Sequence, residues 1–466
     1  MPGSSNRSSS SCADELRVAI SGRVALPGDE FYDKGCRLWN GAVRRRAAIV
    51  AICEQAEDVQ AAVRAARRHG LPLSVRGGGH DWAGRALRDD GLVIDLTRMR
   101  DVTVDPRALV ATVAGGILAK DVAAAAGAHG LVAALGNCGT VGMAGLTLGG
   151  GYGPLSGTCG LAGDNLLGAD IVLADGRRVT TGPDAEPDLF WALRGGGGNF
   201  GVVTSLRVRL HAARHVLVGV IIYSWNEADA VLRRYAAFAA TAPDELGVAV
   251  GIMSGPAGEP VIMVVALWNG EQRQGERVME DVQAFGTPQS AEVGPATYAD
   301  MLARFDAWVE AAHGCHWEIR TRWLPALTAG AADAIIAAKA RAASPHCSVF
   351  WHHFHGAATR MPPDGTAFGL RREHLMVEIV AGWKPDGDDG AVHRRWAQDL
   401  WRSLAPFALP GGYANLLGPD DREQAAAAYG GNAARLRVVK RRFDPDGVFA
   451  SAIPLPESGY VLKRAR

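Results

Sequence analysis

Between residues 57 and 70 the apolar positions Val59, Ala62, Val63 and Ala66 recur at helical spacing. Glu57 and Asp58 open the segment, Arg67, Arg68 and His69 close it, and Gly70 follows as a stop, so the pattern predicts a helix. Residues 71–75 predict a short strand that runs into Arg76-Gly77-Gly78-Gly79-His80. Further strands are predicted at 92–96 and 109–113. The unit then repeats. An Ala-rich helical pattern at 120–129 ends, like the first, in His-Gly-Leu (His129, Gly130, Leu131). An apolar stretch leads from there to Gly136-Asn137-Cys138-Gly139-Thr140-Val141-Gly142. Each glycine loop carries one nucleophilic side chain, His80 in the first and Cys138 in the second. Two similar units converging on one ligand is the expectation.

The alternation continues with a strand at 169–174, an Asp175-Gly176 turn, a return strand at 178–180, a helix at 188–193 and a strand at 202–210. After His211 the pattern changes. Strands at 216–223, 248–253, 261–268, 348–355 and 375–383 mingle with helices at 227–241, 271–285, 297–311 and 328–342. This predicts a separate sheet with helices on one face. From residue 413 the chain returns to loops and one helix at 433–442. The Ser-rich start, residues 1–12, lacks an apolar core and reads as a flexible tail rather than a signal peptide. No run is long enough to span a bilayer, so a cytoplasmic protein with no membrane partner is expected.

Composition sharpens one point. Glycine makes up 58 of 466 residues, about 12% against a usual share of about 7%. No Gly-X-Y period occurs, so the chain is not collagen-like. A 48% hydrophobic and 21% charged content excludes disorder. Lys+Arg and Asp+Glu both total 49, which argues against nucleic acid as a partner. The seven cysteines form no CxxC pair, so neither a disulfide framework nor a metal site is expected. The Trp351-His352-His353-Phe354-His355 run matches no metal spacing either. On a strand, His353 and His355 share one face and His352 takes the other.

Much of the surplus glycine lies between residues 77 and 201, where main-chain N–H groups can approach a large anionic ligand closely. A dinucleotide fits that description. Gly196-Gly197-Gly198-Asn199-Phe200-Gly201 matches G-x-G-x-x-G, but a strand follows where a Rossmann site needs a helix. No GK[ST] phosphate loop is present.

A more specific match remains. Leu73-Ser74-Val75-Arg76-Gly77-Gly78-Gly79-His80 with Ile94-Asp95-Leu96 resembles the FAD-binding domain of the vanillyl-alcohol oxidase superfamily, most closely its berberine-bridge-enzyme-like branch. Trp39-Asn40, Gly149-Gly150-Gly151-Tyr152-Gly153, Gly163-Asp164-Asn165 and Phe190-Trp191-Ala192-Leu193-Arg194-Gly195 are similar too. So is the late pattern of Tyr413, Asn415, Tyr429-Gly430, Arg435-Leu436, Lys440, Phe443-Asp444-Pro445 and Phe449. The resemblance implies an α+β architecture. A two-subdomain PCMH-type FAD-binding domain would span 31–213 behind a flexible tail at 1–30. An α+β substrate domain, an antiparallel sheet covered by helices, would be inserted at 214–409, and residues 410–466 would complete the FAD domain.

It also implies covalent FAD, with His80 on the flavin 8α-methyl carbon and Cys138 as a thioether at C6. Arg76, Gly77, Gly78, Gly79, Gly139, Thr140, Val141, Gly142, Gly145, Gly149, Asp164, Asn165, Gly201, Val203, Tyr413 and Asn415 would contact the cofactor. Val141 would let dioxygen reach it. The reaction implied removes two hydrogens from a small organic substrate, passes a hydride to flavin N5 and returns the electrons to dioxygen as hydrogen peroxide. Many relatives place Asn-Tyr in the late motif, where the tyrosine helps deprotonate substrate. Here Asn415 is followed by Leu416. Glu378, in an apolar strand, is the expected base, with Tyr152 as orienting donor or second base. His353, His355 and Leu416 are expected at the substrate. The missing tyrosine tilts the substrate toward a specialised aromatic or alkaloid-like metabolite. A carbohydrate or alcohol oxidase, a dehydrogenase and a low-turnover flavin carrier are the alternatives, and a monomer or homodimer is expected.

Overall fold

The computed structural model describes residues 3–213, 215–311 and 314–450, together with Ile453 and Leu455. Three sheets organise them. The first has order β1-β2-β4-β3, from β1 (Arg23–Ala25), β2 (Ile49–Ile52), β3 (Leu73–Arg76) and β4 (Leu92–Asp95). β2, β4 and β3 run parallel, and β1 pairs antiparallel with β2. β2 and β3 are linked by the helix Ala56–His69, whose buried stripe of Val59, Ala62, Val63 and Ala66 is the one the sequence shows. Gly70 takes φ 66° and stops the helix, a conformation that favours glycine.

The second sheet is antiparallel, with order β5-β6-β10-β8-β9 and β7 also on β10. Its strands are β5 (Val102–Asp105), β6 (Val110–Ala114), β7 (Leu131–Ala133), β8 (Leu166–Val172), β9 (Arg178–Thr181) and β10 (Val202–Ala212). Leu436, Val439 and Phe443 of the late helix Ala433–Phe443 join this sheet's core.

The third sheet has seven antiparallel strands in the order β14-β11-β13-β12-β16-β17-β15. They are β11 (His215–Ser224), β12 (Leu246–Ser254), β13 (Pro260–Gly270), β14 (Pro288–Pro295), β15 (His316–Leu324), β16 (Ser348–Phe354) and β17 (His374–Trp383). One face packs Val250, Ile252, Val264, Val349, Trp351 and Val377 into a core with the helices Ala228–Ala239, Gln272–Gln283, Ala329–Lys339 and Ala391–Ser403. The opposite face is left for a cavity.

Two expectations need correcting. The chain start is no flexible tail over its described part. Gly3–Ala19 is a helix, and Cys12, Ala13 and Leu16 are fully buried against the helix Ala56–His69. Ser8 Oγ donates to the His69 carbonyl at 2.7 Å, and His69 meets Glu15 at 2.9 Å. Helical spacing of apolar residues begins only at Cys12, so the serines before it hide the element. Arg23–Ala25 is likewise a strand. The pattern also misses β14, β15 and the helix Ala391–Ser403. In β15 the buried residues Trp317, Ile319, Thr321 and Trp323 do alternate, but charged residues stand between them. Residues 456–466 of the expected closing segment lie outside the described residues.

Candidate active site

A cavity of about 590 Å³ lies between the glycine loops and the free face of the seven-stranded sheet. This volume is typical of a site for a small molecule or cofactor. One wall is main chain, from Gly77, Gly78, Gly79, Gly136, Gly142, Gly145, Gly197, Gly198 and Gly201. The two nucleophile-bearing loops touch backbone to backbone there. A methyl at Gly78 would stand 2.3 Å from the Gly142 nitrogen, and one at Gly142 2.5 Å from the Gly78 nitrogen. Glycine is required because the loops cannot close with a Cβ between them.

The loops deliver both nucleophiles to one hydroxyl. His80 Nε2 lies 2.8 Å and Cys138 Sγ 3.1 Å from Thr140 Oγ1. The Cys138 thiol also donates to Asp306 Oδ1 at 3.6 Å, and this oxygen accepts the N–H groups of Gly139 at 2.8 Å and Thr140 at 3.3 Å. Trp39 stacks on His80 at 5.8 Å and on Trp317 at 5.2 Å. Burial pushes the His80 imidazole down to about 4, against a weaker opposing pull from Asp306, so the ring is neutral near pH 7. Burial raises the Cys138 thiol above its ordinary range.

The opposite wall is a set of alternate side chains from the sheet. Val220, Ala249, Gly251, Met263, Val265, Ile319, Phe350, Met376 and Val380 face the cavity. Period-two alternation puts Glu378 and His352 among them. Phe350 is paired with Glu378 and His352 with Met376 across β16 and β17. Glu378 Oε1 lies 3.2 Å from His352 Nε2, and the carboxylate side chain keeps 23% exposure. Asn137 Nδ2 lies 3.0 Å from His352 Nδ1. With the amide donating to Nδ1, the ring proton sits on Nε2 and points at Glu378. The wall is thus apolar around one polar array of Asn137, His352 and Glu378. Tyr413 also lines the cavity, and its oxygen accepts from the Gly151 N–H at 3.2 Å and Asn415 Nδ2 at 2.9 Å. Burial pushes this phenol up to about 12.

The structure gathers many of the residues singled out in the sequence around the cavity. His80, Cys138, Val141, Gly142, Gly145, Gly201, Val203, Glu378, Tyr413, Asn415 and Leu416 all border the cavity, and Thr140 bridges the two nucleophiles. Others sit behind it. Arg76 clamps Asp95 at 2.7 Å and the Arg37 carbonyl at 3.3 Å, tying β3 to β4. Asp164 forms a buried two-point pair with Arg371 at 2.7 and 2.8 Å. Asn165 binds the Cys159 and Leu161 carbonyls, each at 2.8 Å. Gly139 faces Asp306, and a methyl at Gly149 would lie 2.0 Å from Asn415 Oδ1. These five shape the loops from outside the cavity.

Tyr152 and the two histidines need correction. Tyr152 lines the cavity, but its hydroxyl lies 2.7 Å from His374 Nε2. His374 Nδ1 donates to the Arg372 carbonyl at 2.7 Å, so Nε2 accepts the tyrosine proton. Burial also holds the Tyr152 phenol well above its ordinary value. The hydroxyl proton of Tyr152 is therefore engaged with His374. His353 and His355 are stacked at 4.3 Å beside a second cavity of only about 10 Å³. His353 binds Glu373 at 2.9 Å, and His355 Nε2 donates to the Leu246 carbonyl at 3.0 Å. His352, on the other face of the strand, holds the place expected of them. Asn137, Asp306 and His352 escape recognition by motif. Adjacency to Cys138 was the only available signal for Asn137, and Asp306 carried none.

Comparison with known proteins agrees with this geometry. Residues 47–182 match the FAD binding domain family, and residues 412–456 match the berberine and berberine-like family. An uncharacterized FAD-linked oxidoreductase of Bacillus subtilis, YgaK, is 28% identical, over 94% of this chain and 98% of its own. The (R)-6-hydroxynicotine oxidase of Paenarthrobacter nicotinovorans is 30% identical, over 93% of this chain and 96% of its own. The solved 6-hydroxy-D-nicotine oxidase of Arthrobacter nicotinovorans superposes with a TM-score of 0.84 at 29% identity, covering 94% of this chain and 98% of that one. Among the described residues no helix is long and apolar enough to cross a membrane, and no cluster of metal ligands occurs. Two nucleophile-bearing glycine loops facing an antiparallel sheet, with these matches at both ends of the chain, place the protein among the berberine-bridge-enzyme-like FAD-linked oxidoreductases of the vanillyl-alcohol oxidase (PCMH-type) superfamily.

Proposed function

We propose that this enzyme oxidises a small, largely apolar aromatic or alkaloid-like amine, with FAD held covalently through His80 and Cys138 and dioxygen as the final acceptor. The observation that carries this reading is the asymmetry of the cavity. One wall is glycine main chain with both nucleophiles, and the other is an apolar sheet face interrupted by Glu378 and His352, which Asn137 of the facing loop contacts. The groups present suit FAD. The glycine wall supplies close main-chain approach, His80 is neutral, and the thiol of Cys138 sits beside an acceptor. When bound, the flavin supplies a two-electron acceptor that dioxygen returns to its oxidised state, yielding hydrogen peroxide.

The chain's own residues do the rest. Glu378 takes a proton from an N–H or O–H of the substrate, and the His352 Nε2–H steadies the carboxylate for that task. Met376, Val380 and Val265 hold the apolar body and exclude water. Val141, small and at the cavity surface, keeps a path open for dioxygen. A sugar would bring many hydroxyls to a wall with one polar array, leaving most unpaired. The similarity to an oxidase named for (R)-6-hydroxynicotine supports the amine class.

The test is acid precipitation, peptide mapping and an anaerobic substrate panel. The precipitate stays yellow, tryptic flavopeptides contain His80 and Cys138, aromatic amines bleach the flavin, and air then releases hydrogen peroxide. Flavin that washes off sinks the covalent part. Faster bleaching by oligosaccharides sinks the substrate class.

A further inference from the structure

We propose that Asp306 is the base that removes the Cys138 thiol proton when the thioether to FAD forms. This inference rests on the covalent-FAD reading above. Asp306 lies on the helix Tyr298–Ala311, far in sequence from the glycine loops, and its carboxylate reaches into the Cys138 loop. Oδ1 is fixed by the Gly139 and Thr140 N–H groups, and the thiol donates to the same atom. A methyl at Gly139 would lie 2.5 Å from Oδ2, so glycine there admits the carboxylate.

Hydrogen-bond polarity extends the role to His80. An ionised carboxylate only accepts, so the Cys138 S–H is the donor to Asp306. The Thr140 hydroxyl must then donate to the sulfur, and its oxygen accepts the His80 Nε2–H. The lone pair is left on His80 Nδ1. One carboxylate therefore sets the proton arrangement of both nucleophiles. Of the neighbouring cations, Arg304 of the same helix pairs with Glu292 at 3.1 Å, and Lys120 is exposed to solvent. Burial keeps the thiol protonated at neutral pH, so thiolate chemistry there needs a base.

In the step the Cys138 S–H bond breaks, its proton passes to Asp306, and a bond forms from sulfur to the flavin C6. The C6 proton is released. The electron pair brought by sulfur leaves the ring two electrons reduced, and dioxygen removes those electrons with two protons as hydrogen peroxide. The sum is thiol plus flavin plus dioxygen giving thioether plus peroxide.

The test is Asp306→Asn, which keeps an acceptor oxygen for both N–H groups, read by intact mass and tryptic mapping rather than activity. In the wild type one FAD joins the His80 and Cys138 peptides. In D306N purified at pH 7, FAD stays on the His80 peptide and the Cys138 linkage falls at least about tenfold. Moving that protein to pH 10 in air restores the linkage, because hydroxide replaces the missing base, and D306E matches the wild type. Full linkage in D306N at pH 7 overturns the proposal, and so does a D306N that stays unlinked at pH 10, since that marks a packing role. A wild type lacking the Cys138 thioether overturns the Cys138 half of the covalent reading and this role with it, whereas a linked wild type with a fully linked D306N overturns the role of Asp306 alone.

Discussion

The two walls of the cavity are built on opposite principles. The glycine wall works by the absence of side chains. Gly78 and Gly142 bring main chain against main chain, and Gly139 leaves room for a carboxylate. The sheet wall works entirely through side chains, every second residue of β12, β13, β15, β16 and β17. A wall of backbone tolerates almost no substitution, and in the proposed function it is the wall that holds the cofactor. A wall of side chains can be rewritten without disturbing the ladder beneath it.

The largest test of that contrast is Gly78→Ala. Its methyl would meet backbone that cannot swing aside, so the expected result is loss of flavin-loaded soluble protein, read as the ratio of visible to ultraviolet absorbance. A normal flavin content would break the comparison. On the sheet wall, Glu378→Gln is expected to leave flavin content unchanged and slow anaerobic flavin reduction by about 10²-fold. A rate near that of the wild type would remove Glu378 from the chemistry.

The layer behind the sheet wall is expected to respond to pH. Burial depresses His353 and His355 to about 4 and His374 to about 3, against about 6.5 in the unfolded chain. As pH falls below about 6.5 the unfolded chain takes up protons that the folded chain refuses. Stability is therefore complete above that pH and is lost progressively down to about 4 for His353 and His355 and about 3 for His374. A melting temperature followed from pH 7 to 4 should decline throughout, and His374→Gln should flatten the slope. A level profile would show that these rings are not held neutral. The smallest effect belongs to His353→Gln. Turnover should stay at the wild-type level while stability drops by about 1 kcal/mol through loss of the Glu373 contact. A large loss of turnover would return His353 to the substrate.

The glycine wall was legible because a backbone requirement writes itself as a local motif. Arg76 to His80 and Gly136 to Gly142 announce their loops within a few residues. The sheet wall was half legible. Alternation placed His352 opposite His353 and His355, but nothing local says which face meets a cavity and which meets helices. The reading therefore chose the wrong pair. The partner of Tyr152 was illegible for a related reason: the motif put the tyrosine at the cavity, while His374 lies 222 residues on.

By itself the sequence determined the glycine loops, the two nucleophiles they carry and the order of most strands and helices. Each of these follows from spacing and backbone freedom within a short window. The tertiary structure alone decided that the helix Tyr298–Ala311 brings Asp306 to Cys138, that Asn137 turns the His352 proton toward Glu378, and that the serine-rich start folds onto the helix Ala56–His69. Each of these depends on a contact between distant segments. Such contacts form only when sheets and helices close around a shared core, and no local pattern encodes them.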